Sequence, residues 1–295
     1  MDAGDLRVFE AVARLGTMGR AAAELNTVQS NVTARIRLLE RELGVPLFHR
    51  HSRGAVPTDA GRRLLPYAAR AARLLDEARR AVADDGCPKG SLAVGSLETT
   101  TALRLPRVLA DYAAAHPAVD LVLRTGTTCE LVAAVLEHRI EGAFVCGPVG
   151  HPELEAMTVW EEELVLVTAG GVRSLDALLR AGTPKIVVFR AGCSYRQRLE
   201  AVLAARGAVG PRLLEFGSLD GILACVAGGV GVTLLPRGVA APAARDGRVA
   251  LHALPPAEAG VETVFVRRRD GFVSSALAAF LDCARPRSAR ADAAD

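Results

Sequence analysis

This sequence predicts an α/β protein in two unlike parts, on three observations. Residues 18–53 pass from a short alanine-rich helix through a tight turn to a longer helix with one apolar and one polar-basic stripe, and end in a basic hairpin tip. From Thr58 to about residue 83 an apolar stripe repeats along one long helix. After residue 90 strands alternate with helices, the rhythm of open sheets with helices on their faces.

The N-terminal elements follow in order. Asp5–Leu15 reads as a first helix with Leu6, Phe9 and Val12 on one face, and 18–25 as a second with Ala22 and Leu25 inward. The third runs from about Val28 to Leu43 behind Thr27 as N-cap. Val28, Val32, Ile36, Leu39 and Leu43 form one helical stripe, with Gln29, Ser30, Thr33, Arg35, Arg37 and Arg41 opposite. Leu47-Phe48 and Ala55-Val56 then pair as a small wing with His51-Ser52-Arg53-Gly54 at its tip. Together these parts make a winged helix-turn-helix, a device for placing one helix in a DNA groove.

Thr58-Asp59 opens the long helix. Leu64, Leu65, Ala68, Ala71, Ala72, Leu75, Ala78 and Val82 repeat along it, a stripe too apolar for a lone exposed helix, so the same helix of a second copy is the expected partner. Asp84-Asp-Gly-Cys-Pro-Lys-Gly90 breaks the helix and reads as a hinge.

Beyond it the strand candidates are Leu92–Leu97, Val119–Arg124, Gly142–Cys146, Leu164–Thr168, Lys185–Phe189, Arg212–Phe216, Val230–Leu235 and Thr263–Arg267. The intervening helices are Leu103–Ala115, Glu130–His138, Leu175–Ala181, Ser194–Arg206, Leu219–Gly228 and Phe272–Cys283. Open sheets of this kind bind small ligands beyond the C-terminal ends of their strands.

Composition narrows the class. Of 295 residues 50% are hydrophobic but only 4% aromatic, so the cores must be aliphatic. No run approaches a membrane span and no secretory core follows the N-terminus, so the chain reads as cytoplasmic with no membrane partner. The net charge of +3 conceals an asymmetry. Residues 1–83 carry 14 Arg against 9 acidic residues, and the remaining 212 carry 22 Lys plus Arg against 24 acidic, so the positive excess lies at the N-terminus, where a nucleic-acid footprint belongs. The six cysteines show neither disulfide-framework nor metal-ligand spacing and read mostly as small buried hydrophobes.

The motifs converge on one family. Ala21-Ala-Ala-Glu-Leu25, Gln29-Ser-Asn-Val-Thr33, Ile36-x-x-Leu-Glu40, Leu43-Gly-x-x-Leu-Phe-x-Arg50 and Thr58-x-Ala-Gly61 stand in the order and spacing of LysR-type transcriptional regulators, which the chain resembles over nearly its whole length. The resemblance implies a winged helix-turn-helix over 1–58, a dimerising linker helix and hinge over 59–90, and a two-lobed α/β effector domain, like a periplasmic binding protein, over 91–295. Lobe I would comprise about 91–160 plus 265–285 and lobe II about 161–264, with 286–295 a flexible tail. It also implies a homodimer, commonly a homotetramer, on double-stranded DNA with an interrupted inverted repeat. RNA polymerase is a further candidate partner, and the output can be activation or repression.

The resemblance assigns roles in reading DNA to Gln29, Ser30, Thr33, Arg35, Arg50 and Arg53. Gln29 would read an adenine edge and Arg53 would enter a narrow minor groove. Ala34 stands where many relatives have arginine, and Arg35 is the adjacent residue that substitutes for it or does not. Arg50 contacts DNA or pairs with Glu40 or Glu42.

Polar clusters after strands mark the sensing end. Glu98-Thr-Thr-Thr101, Thr125-Gly-Thr-Thr128 and Ser218 offer hydroxyls and helix N-termini, which suit an anionic effector such as a carboxylate. The effector residues are Thr99, Thr100, Thr101, Thr128, Cys146, Phe189, Tyr195, Arg196 and Ser218. Arg196 either pairs with a ligand carboxylate or bridges to Glu200. An effector in the cleft would shift the arrangement of the lobes, hence the spacing of the DNA-binding units and the bend in the DNA.

Three rival readings use the same residues. A thiol-based redox sensor would use Cys129, Cys146 or Cys193, although no basic residue flanks them. An enzyme lacks support from any nucleophile elbow, metal cluster or cofactor loop. His116, His138, His151 and His252 stand alone, and Gly228-Gly-Val-Gly231 follows a helix rather than a strand. The chain therefore reads as non-enzymatic, with no cofactor or metal. A solute-binding protein fits residues 91–285 but leaves 1–83 unexplained.

Overall fold

The computed structural model describes residues 1–51 and 54–285. Arg53, expected at the wing tip, and residues 286–295, expected as a tail, lie outside the described residues. The chain divides into two compact units, Met1–Asp84 and Asp85–Asp295.

In the first unit α1 (Ala3–Leu15) starts earlier than its apolar periodicity suggests, because Asp2 and Asp5 form a reciprocal capping box. Asp5 N donates to Asp2 Oδ1 at 2.7 Å and Asp2 N to Asp5 Oδ2 at 3.2 Å. The turn helix α2 (Met18–Glu24) is capped by Thr17. It leads into α3 (Gln29–Leu43), whose cap position is Val28 and not the expected Thr27. Thr27 Oγ1 accepts from Asn31 Nδ2 at 3.0 Å instead. Val32, Ile36 and Leu39 are fully buried in one core with Phe9 and Val12, while Val28 and Leu43, the ends of the predicted stripe, are exposed. Strands β1 (Phe48–His51) and β2 (Gly54–Pro57) pair antiparallel as the wing.

The long helix α4 (Asp59–Ala83) is capped by Thr58, whose Oγ1 accepts from Gly61 N at 3.0 Å. A Cβ on Gly61 would lie 2.3 Å from Leu47 O, so only glycine lets the helix start this close to the wing. Ala68 is fully buried in the first unit's core. Further along, Leu74 and Val82 are exposed, and the helix's 25 residues give it a length of about 37 Å.

The second unit has two lobes. Lobe I carries β3 (Gly90–Ser96), α5 (Glu98–Leu103), α6 (Leu105–Ala115), β4 (Val119–Thr125), α7 (Thr128–Leu136) and β5 (Gly142–Cys146). The threonines 99–101, expected as a polar cluster just after the first strand, lie in α5, and Arg104 separates it from α6. Strand β6 (Leu154–Ala169) is far longer than predicted and runs out of lobe I into lobe II. Lobe II then adds α8 (Leu175–Arg180), β7 (Ile186–Phe189), α9 (Ser194–Ala204), β8 (Leu213–Phe216), α10 (Leu219–Ala227) and β9 (Thr233–Pro236). It is completed by α11 (Arg237–Arg245), β10 (Val249–Ala253) and α12 (Pro256–Ala259). The chain returns through β11 (Gly260–Arg268) to α13 (Ser275–Ala284). Sequence reading missed α11 and β10, where small residues and prolines blur the periodicity.

The topology follows from β6. Its first half pairs antiparallel with β11, completing the lobe I order β6-β11-β5-β3-β4, and its second half pairs with β9 and β10. Register slips by one residue between Thr263 and Val264, where the strand pair passes between lobes. In lobe II, β7 and β8 are parallel, joined to the rest by a bridge from Ile186 to Val232. Gly231 makes that approach possible, since a Cβ there would meet Lys185 O at 2.4 Å; the glycine run is a tight turn, as its order predicted.

Aromatic residues concentrate in lobe I, where Tyr112, Phe144, Trp160, Phe265 and Phe280 share one core. A second core runs unbroken from Leu131 and Val145 in lobe I through Leu164 to Leu199 in lobe II. No helix among the described residues is long and apolar enough to cross a membrane.

Candidate DNA-reading face and inter-lobe cavity

Helix α3 buries one side and leaves the other open. Gln29, Ser30, Ala34, Arg37 and Arg41 are exposed along the open side. Thr33 lies with them but donates its hydroxyl to Gln29 O at 2.9 Å, so its Oγ1 proton is spent on the helix. Arg35, next to Ala34, is engaged within the protein. It is turned toward α1, with Nη1 3.6 Å from Asp5 Oδ1, a carboxylate only 8% exposed. One helical step rotates a side chain by roughly 100°, which carries position 35 off the open face. The arginines on that face are Arg37 and Arg41.

Arg50 is committed to structure as well. Its Nη2 donates to Glu40 Oε2 at 2.7 Å, while Glu40 Oε1 accepts from Leu47 N at 2.9 Å and Phe48 N at 3.3 Å. Glu40 thereby fastens the start of β1 to α3. Of the six nominated DNA residues, Gln29 and Ser30 are free on the open face, Thr33, Arg35 and Arg50 are internally bonded, and Arg53 lies outside the described residues.

In the second unit the C-terminal ends of five parallel strands converge on a cavity of about 40 Å³ between the lobes. That is room for roughly three waters. Lobe I contributes Glu98 and Thr99 after β3, Thr125 through Thr128 after β4, and Cys146 at the end of β5. Lobe II contributes Phe189, Arg190 and Ser194-Tyr195 after β7, and Gly217 after β8.

Direct bonds close the cleft. Ser194 Oγ donates to Thr128 Oγ1 at 3.2 Å, Cys129 N to Gly192 O at 3.4 Å, and Leu219 N to Glu98 Oε1 at 2.7 Å. Tyr195, 5% exposed, shares a hydrogen bond with Thr99. The N-termini of α7 and α9 face each other here. Thr127 caps α7 in a capping box with Glu130, whereas the α9 cap, Cys193, makes no side-chain hydrogen bond.

Of the residues expected at the effector site, Thr99, Thr128, Cys146, Phe189 and Tyr195 line the cavity. Thr100, Thr101, Arg196 and Ser218 do not. Helix α5 turns Thr100 away, and Thr101 Oγ1 donates to Leu97 O at 2.9 Å. Arg196 bridges Glu200 at 3.2 Å and Glu215 at 2.6 Å. Ser218 Oγ accepts from Gly221 N at 3.2 Å. The cation at the cavity is Arg190, which sequence reading missed. Its place directly after a strand end was the available signal, since ligands gather there.

The buried thiols are poorly suited to redox sensing. Burial raises both Cys146 and Cys193 above the ordinary thiol value, which keeps them protonated, and protonated thiols react slowly with oxidants. Contrary to the composition-based expectation, only these two of the six are buried; Cys87 and Cys129 are exposed and Cys225 and Cys283 intermediate.

Known proteins share both units. Residues 3–62 match the bacterial regulatory helix-turn-helix protein, lysR family, and residues 85–289 match the LysR substrate binding domain. The HTH-type transcriptional regulator YusT of Bacillus subtilis, itself uncharacterized, is 45% identical over 97% of this chain and 96% of its own. The regulator GltR of the same organism is 42% identical over 94% and 93%. Among solved structures, full-length CbnR complexed with its target DNA superposes with a TM-score of 0.64 at 26% identity, covering 96% of this chain and 99% of that one. An OxyR variant from Pseudomonas aeruginosa shares the fold, with a TM-score of 0.71 at 19% identity over 96% and 94%. The chain belongs to the LysR family: it is a DNA-binding transcriptional regulator with an effector-binding domain.

Proposed function

We propose that this regulator reads an interrupted inverted repeat as a dimer joined through α4, works as a tetramer beside RNA polymerase in the cytoplasm, and is switched by a carboxylate-bearing effector between its lobes. Its role is binding, without catalysis. The observation that carries the effector reading is the cavity at which two helix N-termini and Arg190 converge. Unpaired N–H groups and helix dipoles favour an anion there. The cavity is small, so a ligand larger than a few waters must part the lobes against the bonds that close them. That difference between lobe arrangements is what an effector needs in order to shift a population.

The dimer reading is supported by α4, along which the apolar residues Tyr67, Leu74 and Val82 are exposed. Two such helices side by side would fix the separation of two copies of α3. Gln29→Ala is expected to lower the preference for operator over random DNA while leaving dimerisation intact; unchanged operator binding in a gel shift would overturn the assignment. A thermal-shift screen of carboxylates tests the effector reading, because a ligand specific to the folded state raises the midpoint.

A further inference from the structure

The cavity is lined by charges of both signs. Glu98 comes from lobe I and Arg190 from lobe II. Glu98 Oε1 accepts from Leu219 N, the first amide of the nine-residue helix α10, at 2.7 Å. A carboxylate of the protein itself therefore occupies the N-terminus that Ser218 was expected to offer to the ligand. Glu98 forms no salt bridge among the described residues, and it lines the cavity.

The N-termini of α7 and α9 differ from that of α10. Thr128 N and Ser194 N, the first amides of α7 and α9, take no protein partner among the described residues. The hydroxyls of Thr128 and Ser194 stand beside them. Arg190 lines the cavity and makes no close ion pair among the described residues, though its charge adds to the Thr127 bonds of the α7 capping box in lowering the carboxyl of Glu130. The first amides of α7 and α9 are thus open to a carboxylate, whereas the first amide of α10 already holds one.

We propose that the effector is a small zwitterion, an α-amino acid or a close analogue, with its carboxylate between the α7 and α9 N-termini under Arg190 and its ammonium group against Glu98. This rests on the reading that a carboxylate effector occupies the cavity, and adds what its second group must be. A simple monoacid leaves Glu98 uncompensated as the ligand displaces water from it, and a dicarboxylate places like charges together. An ammonium group satisfies the carboxylate, so the site rejects the other classes through Glu98.

The test is thermal shift on the full chain with the common L-amino acids, their des-amino carboxylic acids, amino-acid methyl esters, and succinate and glutarate. At least one amino acid is expected to raise the midpoint, with its des-amino acid and its methyl ester weaker by about tenfold or more. Glu98→Gln, which keeps an acceptor for Leu219 N, is expected to reduce that amino/des-amino preference by at least about tenfold. Arg190→Gln should weaken both compounds alike. If des-amino acids or dicarboxylates bind the native chain as well as amino acids do, the zwitterion inference is wrong while the carboxylate reading stands. If no carboxylate of any class binds, both fall. The native-chain comparison decides the matter even if Glu98→Gln fails to fold.

Discussion

Replacing Glu40 should unfasten the wing from the DNA-reading helix. Its carboxylate holds two backbone amides and one guanidinium, at 2.9 Å (Leu47 N), 3.3 Å (Phe48 N) and 2.7 Å (Arg50 Nη2). Leu47 and Phe48 are buried, so alanine at 40 leaves their N–H groups without an acceptor, at about 1 kcal/mol or slightly more each in a partly buried setting. The Arg50 pair is partly exposed and adds no more than about 1 kcal/mol. Glu40→Ala should therefore cost about 3 kcal/mol locally, whereas Glu40→Gln keeps an acceptor and should cost about 1 kcal/mol. Hydrogen exchange on the full chain reads this directly: amides of Leu47 and Phe48 should exchange roughly a hundredfold faster in the alanine variant, with those of α13 unchanged. Operator affinity should fall with the alanine change and be largely kept by glutamine. Equal exchange in the two variants, or acceleration below about threefold for alanine, would refute the account of Glu40 as the wing's anchor.

Three other outcomes follow from the same geometry. Arg37→Ala should reduce the slope of log affinity against log salt by about one charge, while Arg35→Ala should leave the slope nearly unchanged and lower the first unit's stability, as salt titrations and thermal melts would show. Gly61→Ala should destabilise by about 1–2 kcal/mol in denaturant unfolding, because the clash with Leu47 O outweighs the gain in helix propensity. Alkaline pH should weaken the second unit. Burial raises the thiols of Cys146 and Cys193 and the phenol of Tyr195, and pushes Tyr112 up to about 12. The unfolded chain releases these protons first, so their contribution is intact below about pH 8.5 and declines as pH rises through the folded values. Tyr112→Phe should flatten the upper part of that decline in melts at graded pH, although it also removes the bond from Tyr112 Oη to Ala276 O at 2.8 Å.

Legibility varied with the range of the interaction. The buried side of α3, the cap of α4 at Thr58 and the turn at Gly231 depend on neighbours close in sequence, and local periodicity or residue type exposed them. The cap of α1 depends on Asp2 and Asp5 acting together, which apolar spacing does not register. The length of β6 was hidden because its two halves face different partners, so no single alternation of burial runs through it.

By itself the sequence determined the class of the protein. Its motifs identified a DNA reader joined to a sensing domain, and strand ends rich in hydroxyls marked where a ligand would lie. Only the tertiary structure decided which charged groups remain available. Arg35 stood open as a DNA contact, and Arg50 and Arg196 stood between a ligand and a nearby carboxylate; Arg35 is paired with Asp5, Arg50 with Glu40, and Arg196 with Glu200 and the more distant Glu215. Arg190 makes no such close pair among the described residues, though its charge reaches Glu130, and Glu98 took the helix terminus assigned to the ligand. Charge has no periodicity and pairs across any chain separation, so the disposition of these side chains was settled only when the fold brought their partners within reach.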